Sequence, residues 1–305
     1  MSIGFITHPD CALHDMGTGH PECPARLGAI QDQILSSGME LALQYYDAPL
    51  ATREQLFRVH DPAYVDEIFR IAPDEGRVYL DADTLMGPYS LNAALRAAGA
   101  AVLGVDLVMN GKNNQAFCSV RPPGHHAERH RAMGFCIFNN VAVGAAHARQ
   151  QYQLQRVAIV DFDVHHGNGT EDIFRDDAGV LFCSTFQHPF YPHTGADTQR
   201  DHIVNVPLPA ASGGQAFREA VEQYWLARLD AFKPELILVS AGFDGHVEDE
   251  MAGLALVEND YAWVTRQIKQ LADRHASGRI VSTLEGGYAL SALGRSVVAH
   301  LNAML

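Results

Sequence analysis

Four separate apolar runs in the chain end in short knots of polar residues. Phe117-Cys118-Ser119-Val120 leads into Arg121-Pro122-Pro123-Gly124-His125-His126. Val157-Ala158-Ile159-Val160 leads into Asp161-Phe162-Asp163-Val164-His165-His166-Gly167-Asn168-Gly169. Leu236-Ile237-Leu238-Val239 leads into Ser240-Ala241-Gly242-Phe243-Asp244, and Ile280-Val281-Ser282-Thr283-Leu284 into Glu285-Gly286-Gly287-Tyr288. Short runs rich in β-branched residues, flanked by helical stretches, predict buried parallel strands. Open α/β sheets place their sites just beyond the carboxyl ends of such strands. The pattern therefore predicts that carboxylates, histidines and a tyrosine meet at one sheet edge.

Between the runs the periodicity turns helical. A proline opens a predicted helix over 24–36, and Gly38 stops it. An Ala-rich helix is predicted over 91–108, ending near Asn110-Gly111, and another over 139–152. Phe217, Ala220, Val221 and Tyr224 fall at i, i+3, i+4 and i+7, and Tyr261, Val264, Ile268 and Leu271 repeat the helical pattern at i, i+3, i+7 and i+10, so both segments read as amphipathic helices. Strand and helix thus alternate through the last two thirds, the pattern of a parallel sheet covered on both faces. The first third is more helical. With no repeat, low-complexity stretch or Gly/Ser linker, residues 1–305 read as a single α/β domain. The long connection over 187–201 reads as functional.

Composition narrows the class. Hydrophobic residues make up 47% and charged residues 19% of the chain, as in soluble globular proteins. The formal net charge of −14 argues against nucleic acid as a direct ligand and suits cationic partners such as lysine-rich peptides or polyamines. Cys11, Cys23, Cys118, Cys136 and Cys183 are odd in number and form no CxxC pair, which predicts free thiols and a reducing, cytoplasmic setting. The first residues lack a basic-then-apolar pattern, so no signal peptide is predicted. The longest apolar segment, 92–109, is interrupted by Arg96 and Asp106 and is expected not to span a bilayer.

The chemistry lies in the knots. Alternate residues at a strand end point the same way, so Asp163 and His165 can reach one ion, with Asp244 from another strand as a third ligand. Two oxygens and one nitrogen suit Zn²⁺ or Fe²⁺ with open positions for water and substrate. His125 and His126 sit on a stiff turn, and one of them can move a proton between water and a leaving amine. Each imidazole needs an orienting partner, for which Asp161 and Asn168 are candidates. An Asp partner holds its histidine more cationic than an Asn partner does, leaving the histidine beside Asn168 free to act as base. Two glycines let the backbone at Tyr288 approach the site, where a phenol can bond an oxyanion. His166 reads as a support for this knot.

These motifs also stand in the order and spacing of a known family. Arg121 to Ala127, Gly134-Phe135-Cys136 with Asn139-Asn140, Asp161 to Thr170, Ser240 to Asp244 and Glu285 to Tyr288 carry the likeness. The chain resembles the histone deacetylase superfamily, closest to class II enzymes and bacterial deacetylase-like amidohydrolases, from about Gly4 to its C-terminus. The resemblance implies an arginase-like three-layer sandwich, with a mostly parallel sheet of about eight strands and helices on both faces. It implies zinc-dependent hydrolysis of N-acyl amides, foremost N-ε-acetyl-lysine in peptides or proteins, with acetylpolyamines as the alternative substrate. Residue by residue it implies Zn²⁺ on Asp163, His165 and Asp244, His126 as general base and acid, and His125 as its electrostatic partner paired with Asp161. Tyr288 would polarise the acyl carbonyl, Gly134 and Phe135 would line an acyl-lysine tunnel facing Tyr191, and Arg26 would lie by the product channel. A substrate-gripping aspartate falls at Asp81 or Asp83, and structural K⁺ at Asp161, Asp163, His165 and Ser184. Asn168, an aspartate in class I, fits class II.

Two departures bear on specificity. Asp249-Glu250-Met251-Ala252 replaces the usual Asp-Pro-Leu-Gly. Met251 stands where a polyamine-selective relative has glutamate, which favours an acyl-lysine chain. His193 replaces a commoner glycine and would narrow the rim. A binuclear manganese ureohydrolase would share the fold but needs another bridging carboxylate where Asn168 stands. The expected partners are acyl-lysine peptides or small acylated amines, with no nucleic acid and no membrane, and there is room for a homo-oligomer.

Overall fold

In the computed structural model, which describes residues 2–305, the apolar runs become neighbouring strands. The strands are β1 (Ile3–Thr7), β2 (Leu43–Asp47), β3 (Val78–Tyr79), β4 (Leu85–Met86) and β5 (Gln115–Cys118). They continue with β6 (Val157–Asp161), β7 (Val180–Gln187), β8 (Ile203–Leu208), β9 (Leu236–Ala241) and β10 (Ile280–Leu284). Among the described residues, eight form one sheet in the order β2-β1-β5-β10-β9-β6-β7-β8. Every pairing in it is parallel, while β3 and β4 make a separate antiparallel ribbon. The four predicted knots follow β5, β10, β9 and β6, four contiguous strands, so their residues emerge side by side.

The helices are α1 (Asp10–Leu13), α2 (Ala25–Ser37), α3 (Arg53–Leu56), α4 (Pro62–Ile71), α5 (Ser90–Met109) and α6 (Asn140–Tyr152). They continue with α7 (Asn168–Phe174), α8 (Gly214–Ala220), α9 (Ala227–Phe232), α10 (Glu258–His275) and α11 (Leu290–Met304). Side-chain alternation sorts them into two layers. Val157, Ile159, Leu236 and Leu238 share a core with α4, α5 and α6. Their neighbours Ala158, Val160, Ile237 and Val239 share the opposite core with α2, α10 and α11. Strands buried on both faces have no polar side, which is why they read as continuous apolar runs. The expected mostly parallel sheet with helices on both faces is therefore the observed fold.

Helix ends follow local chemistry. Gly38, at φ 72°, closes α2 in the left-handed region and bonds its amide to Leu35 O. Asn139 caps α6 by accepting from Ala142 N at 3.0 Å.

Three expectations need correction. The strand expected at 117–120 lies two residues earlier, and Val120 already belongs to the following turn. The apolar segment judged too polar for a membrane is, as α5, long and apolar enough to cross one by length and composition, but 72% of its apolar window is buried in the fold. Its apolar character answers to its place in the core. Tyr224 does not complete a buried stripe. A π-helical turn (Val221–Leu226) separates α8 from α9, leaving Tyr224 46% exposed while Trp225 is fully buried.

Candidate active site

Asp163 and His165 lie just past β6, and Asp244 just past β9. One donor atom from each falls within 4.8 Å of the others, and all three side chains are buried. His165 Nδ1 is 3.1 Å from Asp163 Oδ1 and 3.2 Å from Asp244 Oδ2. The remaining carboxylate positions are held by backbone amides. Val164 N donates to Asp244 Oδ1 at 3.0 Å, and Gly286 N to Asp163 Oδ2 at 2.8 Å. Asp244 Oδ2 is buried with no hydrogen-bond partner among the described residues. Burial, followed by the charge of Asp163, pushes the Asp244 carboxyl up to about 6. Two crowded carboxylates, one with an orphaned oxygen, beside an imidazole nitrogen make a donor set that fits a divalent cation. A second convergence of Glu128, His130 and Asp172 lies within the same 4.8 Å but is less buried, with His130 exposed.

The approach of these carboxylates depends on Gly286. A Cβ there would stand 2.0 Å from Asp244 Oδ2 and 2.7 Å from Asp163 Oδ2. Only glycine leaves the space at the carboxyl end of β10.

Beside the triad, the two adjacent histidines have unlike partners. Their rings are 4.0 Å apart. His125 Nδ1 donates to Asp161 Oδ2 at 2.9 Å, and His126 Nδ1 donates to Asn168 Oδ1 at 2.7 Å. Burial disfavours the His125 cation, but Asp163 and Asp161 outweigh it and hold its pKa well above the usual range. Burial, reinforced by His125 and His165, holds His126 well below that range. The two rings are thus pushed in opposite directions, His125 toward the cation and His126 toward the neutral form, with Asp161 contributing to the first and burial, more than the Asn168 partner, setting the second.

The turn bearing the pair is pinned by Glu285, whose Oε2 accepts from Gly124 N at 2.7 Å and His125 N at 3.1 Å. Glu285 was visible only as the start of a glycine pair, and nothing local announced this role. Burial raises its carboxyl to about 7.

Tyr288 is held by its backbone. Its amide donates to Asp249 Oδ2 at 2.6 Å, and Asp249 Oδ1 accepts from Met251 N at 3.0 Å. One buried carboxylate therefore ties the half-buried Met251 loop to the tyrosine. Asp249 had been noticed only as part of a departure from a motif. The Arg26 guanidinium lies over the Tyr288 ring at 4.9 Å. Arg26 is itself fully buried, donating to Gly287 O at 2.7 Å and to Glu22 Oε1 at 3.0 Å. Burial pushes the Tyr288 phenol well above its ordinary value, so it remains an O–H donor.

Aromatic rings surround these groups. Tyr191 stands edge-on to His126 at 5.3 Å, and Phe135 edge-on to Tyr288 at 6.0 Å. Phe190, which the sequence had not singled out, stacks on His165 at 5.5 Å. Gly134, at φ 57°, passes so close to His126 that a Cβ would meet its Cδ2 at 2.4 Å. Asp81 and Asp83 now separate. Asp81 Oδ1 is used within its own turn, accepting from Asp83 N and Thr84 N at 3.0 and 2.7 Å. Asp83 instead accepts from the Gly134 backbone, while both aspartates lie near Tyr191.

Ser184 sits in register with Asp161 across β6 and β7, its buried Oγ without a partner among the described residues. His166 lies 2.9 Å from both Glu171 Oε2 and Thr194 Oγ1, anchoring the long loop. His193 on that loop is exposed, and His246 faces Glu258 at 3.6 Å instead of the triad.

Comparison with known proteins points to one family. The histone deacetylase domain profile matches residues 20–304. A histone deacetylase-like amidohydrolase of Pseudomonas aeruginosa is 38% identical over 94% of this chain and 76% of its own length. The mouse polyamine deacetylase HDAC10 is 38% identical over 100% of this chain and 48% of its own length. The crystal structure of the HDA15 HD domain superposes with a TM-score of 0.92 at 32% identity, covering 99% of this chain and 88% of that one.

Proposed function

The chain belongs to the histone deacetylase family and is a metal-dependent deacetylase, and from that premise we propose that it hydrolyses N-ε-acetyl-lysine in peptides or proteins with Zn²⁺ held by Asp163, His165 and Asp244. Zn²⁺ bound there would supply Lewis-acid polarisation of the amide carbonyl and acidify water. His126, neutral and with its Nδ1 proton committed to Asn168, takes the proton of the attacking water on Nε2. It then returns that proton to the departing lysine amine. His125, kept cationic by Asp163 and Asp161, stabilises the negative charge that develops. Tyr288 donates its phenolic proton to the oxyanion. Gly134, Phe135 and Tyr191 enclose the acyl-lysine stem, Asp83 grips the substrate backbone, and Arg26 borders the product exit. K⁺ would sit by Asp161, Asp163, His165 and Ser184, where the orphaned Ser184 hydroxyl supports it. Free thiols at all five cysteines fit a reducing, cytoplasmic setting.

The observation that carries this reading is the unlike pairing of two adjacent buried histidines beside one Asp-His-Asp donor set. Acetylpolyamine hydrolysis is the rival, favoured by the mouse relative's name and by the net charge of −14. Met251 in place of an acidic residue speaks for the lysine side chain. Turnover of an acetyl-lysine peptide and of N-acetylputrescine by the purified protein decides between them. Faster hydrolysis of the peptide upholds the proposal, and preference for N-acetylputrescine overturns it.

A further inference from the structure

The side-chain amide of Asn168 controls which nitrogen of His126 carries the proton. With Oδ1 toward the ring, Nδ1 must hold the proton and Nε2 keeps its lone pair. With the amide turned over, its NH₂ would donate to Nδ1, and the proton would move to Nε2, which could then accept nothing. The shape of an amide does not favour either orientation; its neighbours do.

Here the neighbours all demand the same end. Asn168 Nδ2 faces Glu128 Oε1 at 2.8 Å, Met133 Sδ at 3.2 Å and the His126 carbonyl at 3.4 Å, three acceptors. The turned amide would set an oxygen against a carboxylate. Glu128 is itself fixed by a two-pronged contact from Arg131, with Nε to Oε2 at 2.7 Å and Nη2 to Oε1 at 2.8 Å. Burial raises the Glu128 carboxyl, but its bonds to Arg131 and Asn168 outweigh this and hold it below the ordinary range. Arg131 is 57% exposed and Glu128 12%, so a chain of contacts runs inward from the surface through Glu128 and Asn168 to His126. His125 needs no such device, because either oxygen of Asp161 accepts its proton.

We infer that Glu128 is a positioning residue that locks the Asn168 amide and, through it, holds His126 as the Nδ1–H tautomer. The inference rests on the reading of His126 as the proton-transferring base. It assigns no contact between Glu128 and substrate.

The test uses ring-¹⁵N-labelled histidine in the purified protein, with the His126 signals assigned by their loss in His126→Ala. Two-bond ¹H–¹⁵N correlations report the tautomer directly. The wild type should show His126 protonated at Nδ1 alone. Glu128→Leu should shift it toward the Nε2–H form and lower kcat on an acetyl-lysine peptide by at least about tenfold, up to the ~10²–10⁴ that a general base contributes, with KM within about twofold. Glu128→Gln retains an acceptor for Asn168 and should keep both tautomer and most of kcat. Asn168→Asp alone sets two carboxylates together and should lose activity. Combined with Glu128→Gln it should recover, because the glutamine amide can donate to the new carboxylate. An unchanged tautomer in Glu128→Leu overturns the inference. Should that variant fail to fold, a double variant no better than Asn168→Asp overturns it instead. A shifted tautomer with unchanged kcat upholds the inference and refutes the reading of His126 as base.

Discussion

Gly286→Ala is a small substitution with a large expected consequence. The added Cβ would lie 2.0 Å from Asp244 Oδ2, a separation that real methyl contacts do not reach. To restore even 3.0 Å the carboxylate must retreat by about 1 Å, whereas metal–ligand distances tolerate only about ±0.2 Å. The second carboxylate, Asp163 Oδ2 at 2.7 Å, blocks escape in that direction. Supporting groups of this kind typically control 10- to 100-fold in metal affinity, which is about 1.4–2.8 kcal/mol. Zn²⁺ affinity measured by competition with a chromophoric chelator should fall by that factor. Gly28→Ala serves as control, because nothing lies within 4 Å of its Cβ and a helical alanine is more stable than glycine by up to about 1 kcal/mol. Zn²⁺ affinity in Gly286→Ala within threefold of wild type would refute the argument that glycine there makes room for the ligands.

Other outcomes follow from the same contacts. Tyr288→Phe should lower kcat on acetyl-lysine peptide by roughly 10²–10³, the usual scale for one oxyanion donor, with the far-ultraviolet circular dichroism unchanged. Glu285 has its carboxyl raised by burial to about 7 from an ordinary 4.5, so its ionisation destabilises the fold as pH rises through that interval. Glu285→Gln should therefore flatten the fall in Tm between about pH 4.5 and 7. His60 and His300 are buried neutral, with burial lowering them to about 4 and about 3. Stability measured by urea unfolding should drop as pH falls below about 6.5, where the unfolded histidines gain protons that the folded ones refuse. Trp225→Ala should cost about 3–5 kcal/mol by the same method, whereas Tyr224→Ser should stay within about 0.5 kcal/mol.

Much of this site is legible from local sequence because strand ends and metal ligands are local. Asp163 and His165 share a strand end, Asp244 ends another, and β-branched runs buried on both faces betray their strands without an alignment. Of the split between His125 and His126, only the pull of Asp161 on His125 was readable locally; the low value of His126 comes from burial and from His125 and His165. What stays hidden depends on contacts between distant segments. Glu285 meets Gly124 from 161 residues away, and Asp249 meets Tyr288 from 39. Neither stands in a spacing that marks the link. Arg26 was assigned from family likeness alone, since a buried arginine over a tyrosine leaves no periodic trace. Asp81 and Asp83 looked equivalent until the turn consumed one of them. The misplaced Tyr224 has a different cause: a π-helical turn departs from the period on which the reading relied.

The central claim is that one divalent cation, clasped by Asp163, His165 and Asp244, makes this chain a deacetylase. Metal-stripped protein titrated with Zn²⁺, with bound metal and acetyl-lysine hydrolysis followed together, tests it most directly. Activity should rise linearly and plateau at one ion per chain, and Asp244→Ala should abolish both tight binding and turnover. Full activity without metal, or a plateau only at two ions per chain, would contradict the account.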